Sequence, residues 1–235
     1  MQTIPVLNLS LVLIPALLVV VILWRWSAEP GAALYALARM VIQLILIGFV
    51  LTYLFAAEHA LMVAGILSVM LLVSAWIALR SVPERRMNLY FKALLATGVV
   101  NVLLLILITQ AVLTSEPWFQ PNQVIPLAGM IFAVGMNAIS LFAERFFAEL
   151  ENKTEITKAR NTAYRATLIP TLNSLLAVGL VSLPGMMTGQ ILSGVSPLIA
   201  VRYQIMIMLV LFSSSGLTAF AFYYLVRPTL SDKVS

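Results

Sequence analysis

Residues 61–79 read LMVAGILSVMLLVSAWIAL, a run without a single charged side chain. A helix needs about 20 predominantly apolar residues to cross the hydrocarbon core of a bilayer, so this run predicts a membrane-spanning helix. The run does not alternate between apolar and polar residues. It is also longer than the ~9–11 residues of a barrel strand, which argues against a β-barrel segment.

Similar runs recur along the whole chain of 235 residues, of which 62% are hydrophobic and 10% charged. The mean hydropathy is +1.03, whereas an ordinary globular domain carries about 25% charged residues. This composition excludes a secreted protein, a cytosolic enzyme and a nucleic-acid binder. We therefore predict an all-α, polytopic transmembrane bundle with about seven spans. The predicted spans are Ile4–Leu23, Ala33–Phe55, Leu61–Leu79, Ala93–Leu113, Val124–Phe142, Leu168–Leu183 and Ile199–Val226.

The basic residues predict the orientation of the bundle. Of the 14 Lys and Arg residues, 13 fall in one set of alternate connections, and Arg202 is the exception. Because cytoplasmic loops carry an excess of Lys and Arg, the N-terminus is predicted outside and the C-terminus in the cytoplasm. The net charge of +5 is thus a sign of topology and not of an anionic partner. No basic residue precedes the first apolar run, so we expect a retained helix and not a cleaved signal peptide.

The chain is predicted to form one domain, residues 1–235, with a charged cytoplasmic segment at about residues 144–167. This segment carries nine charged residues and contains neither proline nor glycine. It is typical of an interfacial or cytoplasmic helix, or of a solvated extension of the fifth spanning helix. Its functional interpretation is a docking surface for a cytoplasmic partner.

A second unusual stretch, Ser182–Gln204, contains Pro184, Gly185, Gly189, Gly194 and Pro197. Proline and glycine break or loosen helices, and irregular backbone at membrane depth persists only where protein or a water-filled cavity satisfies it. The stretch therefore predicts either an outer loop or a re-entrant element that lines a path.

Several catalytic chemistries are excluded by the residues that are missing. There is no cysteine, and the only histidine, His59, lies in a short outer connection. A zinc site therefore has too few ligands, and an intramembrane serine protease lacks its nucleophile motif, because Ser213-Ser214-Ser215-Gly216 has no flanking glycine. The only Lys-Thr pair, Lys153-Thr154, has no glycine near it, so the chain lacks a phosphate-binding Walker loop. No acidic residue lies in the middle of a predicted span, which argues against a proton-driven pump.

Isolated polar residues within the spans are either interhelical hydrogen-bond partners or substrate ligands. They are Gln43, Asn101, Asn137, Ser140, Asn173 and Ser174. The pair Met186-Met187 could offer thioether sulfur to a metal, or could only pack.

Specific sequence blocks carry a resemblance to a known family. They are Asn137-Ala138-Ile139-Ser140, Pro170-Thr171-Leu172-Asn173-Ser174, the run GLVSLPGMMTGQIL at residues 179–192, Ser196-Pro197-Leu198 and Tyr203-Gln204-Ile205. The chain resembles the FetB-type permease family over most of its length. These are membrane subunits of bacterial ABC exporters implicated in iron homeostasis, with plant relatives in aluminium tolerance.

The resemblance implies a multi-pass permease in the bacterial inner (plasma) membrane, which pairs with a separate FetA-like ATP-binding subunit. Two permeases would assemble with two such subunits. ATP and magnesium would then be bound by the partner, and this chain would hold no cofactor and have no enzymatic activity. The missing Walker loop and the charged segment at residues 144–167 agree with this independently.

The first hypothesis is thus a permease subunit that exports iron, another metal ion or a small solute. Its translocation path is assigned to Asn137, Asn173, Pro184, Gly185, Met186, Met187, Gly189, Gln190 and Gln204. Coupling to the ATPase is assigned to Glu149, Glu151, Lys158 and Arg160. No metal ligands are assigned. Two alternatives stay open: a stand-alone secondary carrier and a non-transporting membrane scaffold.

Overall fold

The computed structural model describes residues 5–26, 30–54, 59–117 and 119–231. Every named secondary-structure element within these ranges is a helix, which confirms the predicted all-α fold for the described part of the chain. The chain divides into two compact units, Met1–Ala57 and Glu58–Ser235. The assignment of the whole chain to one domain stays a prediction.

The first unit contains α1 (Val6–Leu11), α2 (Leu13–Arg25) and α3 (Pro30–Leu54). The helices α2 and α3 are apolar along almost their whole length, as the sequence predicts. The predicted span ends Ile4 and Phe55 lie outside the described residues, as do residues 56–58 of the first outer connection.

The second unit begins with α4 (Ala60–Ala78), followed by the two 3₁₀ turns Leu79–Ser81 and Pro83–Arg85. The helix α5 (Arg86–Ile106) continues as a π-helical turn, Leu107–Val112. The remaining helices are α6 (Pro121–Glu151), α7 (Ile156–Ala177), α8 (Gly185–Leu192), α9 (Pro197–Val226) and α10 (Pro228–Ser231).

The centre of the second unit is α6, which packs against α4, α5, α7 and α9. Its buried residues include Phe142 and Phe146, whose rings stack with 5.4 Å between their centroids. Phe222 and Tyr223 of α9 meet these rings edge-on. This aromatic contact fixes α6 and α9 side by side, running in the same direction.

Within the described residues, six helical segments are long and apolar enough to cross a membrane. They are Asn8–Arg25, Pro30–Phe49, Ala60–Ser81, Pro83–Val112, Pro121–Glu151 and Pro197–Val226. The helix α7 is not among them, because Lys158, Arg160 and Arg165 lie in its first half. A seventh span and the orientation of the bundle stay predictions.

The apolar run predicted as the sixth span continues to Leu183, but the helix α7 ends at Ala177. The chain turns at Gly179, whose φ of +82° is a left-handed conformation that glycine adopts without steric cost. The carbonyl of Ala177 accepts the N–H groups of Val181 and Ser182, at 2.8 and 3.1 Å. Apolar composition predicts burial in lipid or protein, and it does not predict where a helix stops.

The charged segment at residues 144–167 is helical on both sides of a short turn, so its interpretation as helix is confirmed. The helix α6 extends to Glu151, and α7 begins at Ile156. Lys153 lies in the turn between them with a φ of +59°. The stretch 182–204 contains the short helix α8 between two turns, and its depth in the membrane stays a prediction.

Candidate functional site

A cavity of about 410 Å³, the polar groove, lies between α6, α7 and α9. Its polar lining residues are Asn137, Ser140, Thr167, Thr171, Ser174 and Ser215. Asn137 and Ser174 are exposed, so the groove opens at the surface of the single chain. Two sequence blocks that carry the family resemblance, one on α6 and one on α7, therefore meet in one place.

The backbone of α7 adds polar character to this groove. Pro170 has no N–H and removes the hydrogen bond that a helix would donate to the carbonyl of residue 166. Ser174 Oγ donates to the carbonyl of Pro170 at 3.0 Å, and Thr167 Oγ1 donates to the carbonyl of Ala163 at 2.8 Å. None of the described residues that line the groove is charged.

The predicted path residue Asn173 lies beside the groove and not in it. Its neighbour Ser174 lines the groove, whereas Asn173 is exposed and is not one of the lining residues. Asn137 is thus the one predicted carboxamide that the described structure places in the polar groove.

A smaller cavity of about 330 Å³, the apolar pocket, lies next to the polar groove, and Met208 lines both. Two predicted path residues, Met187 of α8 and Gln204 of α9, line this pocket. The side-chain oxygen of Gln204 is buried, and no described residue gives it a hydrogen bond. The turn residues Val178 and Gly179 form another part of the wall.

A third cavity, the amide cavity, has a volume of about 490 Å³ and lies where α6 and α9 begin. Four carboxamides line it, together with two thioethers and one phenol. These residues are Gln120, Asn122, Gln123, Gln190, Met130, Met186 and Tyr203.

The short helix α8 separates the amide cavity from the apolar pocket. Met186 and Gln190 line the amide cavity, whereas Met187 lines the apolar pocket. Pro184 is the N-cap residue of α8. At Gly185 and Gly189, an added Cβ would meet no atom within 4 Å, so these two glycines are not required by close packing.

The predicted coupling residues all lie at the α6–α7 hairpin, residues 149–160. Glu149 accepts hydrogen bonds from Arg145 at 2.5 Å and from Thr154 Oγ1 at 2.9 Å, and it thereby closes the turn. Lys158 and Glu151 are exposed. The guanidinium of Arg160 lies 5.6 Å from the ring centroid of Tyr223.

Arg85 connects this hairpin to the α4–α5 connection. Its guanidinium lies 4.4 Å from the ring centroid of Phe147 and 3.4 Å from a carboxylate oxygen of Glu151. In the same connection, Ser81 Oγ donates a hydrogen bond to the carbonyl of Ser140, a groove residue on α6, at 3.1 Å. The hairpin, the α4–α5 connection and the polar groove are thus linked by direct contacts.

A fully buried polar cluster, which the sequence does not predict, lies at the crossing of α5, α6 and α9. The side-chain oxygen of Asn101 accepts from Ser214 Oγ at 2.7 Å and from Thr218 Oγ1 at 3.3 Å. Its amide nitrogen and the hydroxyl of Thr97 are buried, and neither has a hydrogen-bond partner among the residues that the structure describes. Asn101 was visible as a polar residue in an apolar run, but nothing in the sequence predicts partners 113 and 117 residues away.

Among the described residues, no group of three or more His, Asp or Glu side chains could hold a metal ion. The three cavities offer carboxamide, hydroxyl and thioether groups instead. Such uncharged groups bind cations weakly and form hydrogen bonds readily.

Together, the fold and these cavities define a polytopic helical membrane protein with polar cavities between its helices. The sequence profile of UPF0014, described as an uncharacterised protein family, matches residues 6–230. The chain therefore belongs to the UPF0014 family. No solved structure matches it.

Several relatives have similar lengths. The chain is 33% identical to a UPF0014 membrane protein of Synechocystis over 84% of this chain and 82% of the relative. It is 33% identical to the probable iron export permease protein FetB of Escherichia coli over 82% of this chain and 78% of the relative. It is 28% identical to the protein ALUMINUM SENSITIVE 3 of Arabidopsis thaliana over 86% of this chain and 78% of the relative.

Proposed function

We propose that this chain is the permease subunit of an ABC-type exporter in the bacterial inner membrane. It moves iron or another metal ion with energy from a separate FetA-like ATP-binding subunit. In this proposal the chain crosses the membrane seven times, with its N-terminus outside, and it performs no chemistry on its cargo. The observation that carries the proposal is the polar groove, in which two blocks of the family resemblance meet and none of the described lining residues is charged.

The name of the Escherichia coli relative supports the choice of cargo, because that protein is called a probable iron export permease. The lining of the groove supports transport and argues against storage. A conducting path must bind its cargo well enough to admit it and weakly enough to release it. Hydroxyls and one carboxamide meet that requirement better than carboxylates would.

The exposure of Asn137 supports assembly as a homodimer. A carboxamide that faces hydrocarbon costs free energy, and polar groups within spans are normally covered by another helix. Asn173 on α7 is also exposed. A second copy of the chain over this face would cover both carboxamides and close the groove into a path.

The path proposed for the cargo follows α9. It leads from Asn137 in the polar groove past Gln204 and Met187 in the apolar pocket, and then past Met186 and Gln190 in the amide cavity. Pro184, Gly185 and Gly189 shape the helix α8 at the exit, and Asn173 borders the entrance.

The α6–α7 hairpin is proposed as the docking surface for the ATPase. Glu149 makes the turn rigid, whereas Glu151, Lys158 and Arg160 contact the partner. Through Arg85 and Ser81, a displacement of the hairpin reaches the wall of the polar groove.

Purification in mild detergent tests the proposal most simply, because the ATPase is identified by its Walker motif. We expect a stoichiometric ATP-binding subunit to co-purify with the wild-type chain. Lys158→Glu together with Arg160→Glu should remove this subunit without changing the yield of the permease. As a matched control, Arg80→Glu with Arg227→Glu reverses the same number of exposed charges outside the hairpin and leaves other basic residues in both connections, so the ATPase should be retained.

Two other outcomes would contradict the proposal. A wild-type chain that purifies alone and transports metal in liposomes under an ion gradient is a stand-alone secondary carrier. A chain that purifies alone and supports no flux under either energy source is a scaffold.

A further inference from the structure

The amide cavity differs from an ordinary metal site in its volume and in its ligands. Liquid water occupies about 30 Å³ per molecule, so the volume of about 490 Å³ exceeds what a bare ion and its protein ligands require. The described residues of the lining include no carboxylate, and Gln120, Asn122, Gln123 and Gln190 supply uncharged groups.

Uncharged side chains replace the inner water shell of a divalent ion poorly. Such ions are held by carboxylates where they are stripped of water, and small divalent ions give up water reluctantly. The water molecules that remain on an ion donate hydrogen bonds. Carboxamide and phenol oxygens accept them, so the lining of this cavity matches the outside of a hydrated ion.

Gln190 provides the second observation. Its side-chain oxygen is buried and has no hydrogen-bond partner within the described part of the chain, and an unpaired buried acceptor is unfavourable. A ligand that brings donors therefore gains a hydrogen bond at Gln190 without breaking one in the protein. The side-chain oxygen of Gln123, in contrast, already accepts from Ser115 Oγ at 2.6 Å, which holds this wall in place.

We propose that the amide cavity binds the metal cargo as a hydrated cation, through the water ligands of the ion and not through direct metal–protein bonds. This inference rests on the proposed function. It identifies the chemical form in which the cargo leaves the path, and it assigns Gln190 as the residue that contacts the water shell.

Hexaamminecobalt(III) tests this form of binding, because its six ammine ligands donate hydrogen bonds and do not exchange. Equilibrium dialysis of the full chain in a zwitterionic detergent, with cobalt measured by atomic absorption, should show one saturable site per chain. Gln190→Leu should weaken this binding about tenfold, since one hydrogen bond to a charged ligand is lost. Gln190→Glu should strengthen it through the added negative charge.

Gln110→Leu is the matched control. Gln110 is exposed on the π-helical turn, lies outside the lining of the amide cavity and should leave the binding unchanged. A purely structural role of Gln190 would weaken binding in both Gln190 variants, so a Glu variant that binds no better than the Leu variant would overturn the inference.

The inference and the proposed function fail separately. If ATP drives iron transport and hexaamminecobalt(III) neither binds nor competes, the cargo is bound directly and the inference is wrong. If the complex binds with the expected dependence on Gln190 while ATP drives no transport, the cavity is as inferred and the proposed function is wrong.

Discussion

Asn101 shows how one polar side chain organises the interior of the second unit. It is fully buried on α5, and its oxygen accepts hydrogen bonds from two hydroxyl groups of α9. On α6, the residue that faces it is Gly135, where any Cβ would clash with the amide nitrogen of Asn101. The three helices can approach this closely only because position 135 has no side chain.

Gly135→Ala should therefore destabilise the protein by about 1–3 kcal/mol, as overpacking in a close-packed core does. Gly129→Ala on the same helix is the control, because its Cβ would lie 3.4 Å from the flexible end of Met70. Thermal unfolding in detergent measures the difference. Equal midpoints for the two variants would show that Asn101 does not control this helix crossing.

At the scale of elements, the glycines between α7 and α9 fall into two groups. Gly179 and Gly194 have φ values of +82° and +92° and form turns. Gly185 and Gly189 belong to α8, where a Cβ has open space. The sequence pattern treats Gly185, Gly189 and Gly194 alike as helix breakers and places Gly179 inside a predicted span, and only the backbone conformation separates the two groups.

Gly179→Ala and Gly194→Ala should each cost about 1–2 kcal/mol, because a left-handed conformation is strained for alanine. Gly185→Ala and Gly189→Ala should be neutral or stabilising, since alanine favours a helix by up to ~1 kcal/mol. The thermal unfolding midpoints of the four variants provide the comparison. A loss of stability in the α8 pair as large as in the turn pair would contradict this division.

The α6–α7 hairpin depends on Glu149, which accepts hydrogen bonds from Arg145 and Thr154 and is largely buried. Glu149→Ala should lower the free energy of unfolding by about 1–2 kcal/mol, because hydrogen bonds to a charged and partly exposed carboxylate are lost. The fraction of ATPase that co-purifies should fall with it. Glu116→Ala removes an exposed carboxylate that precedes α6 and lies outside the hairpin, and it should change neither quantity.

The elements show which features an apolar pattern can predict. Four of the predicted runs correspond to the helices α4, α5, α6 and α9; they are residues 61–79, 93–113, 124–142 and 199–226. These helices were predictable because a long uncharged run in a membrane can form few structures other than a helix. The end of α7 was not predictable, since residues 178–183 are as apolar as the helix before them. The turn depends on the φ of Gly179, which sequence composition does not report.

For the whole molecule, the count of spans depends on whether α7 and its turn cross the membrane. The chain has no cysteine. A single introduced cysteine therefore reports the side of the membrane on which it lies, without background labelling of other cysteines. Leu180→Cys and Thr114→Cys should both react with an impermeant reagent from outside, whereas Lys153→Cys should react from the cytoplasm. Labelling of position 180 from the cytoplasmic side would leave six spans and place the turn on the wrong side for the proposed path.

Only part of the candidate site could be predicted from the sequence, because the residues that form it are far apart along the chain. Asn137 was identified from its sequence block, and the structure brings it beside Thr171 and Ser174 of the second block. The amide cavity combines Gln123 with Gln190, and the buried cluster combines Asn101 with Ser214. Contacts between residues so far apart depend on how the helices pack, which one sequence does not specify.

The most direct test of the central claim is metal flux in proteoliposomes that contain the purified chain and its co-purified ATPase. Iron movement should require ATP, and Asn137→Leu should reduce it about tenfold, the loss expected from one hydrogen bond to the cargo in the polar groove. The amount of bound ATPase should stay unchanged in this variant. Flux that is independent of ATP, or equal in the wild-type and Asn137→Leu chains, would contradict the account of a groove that serves an ATP-driven permease.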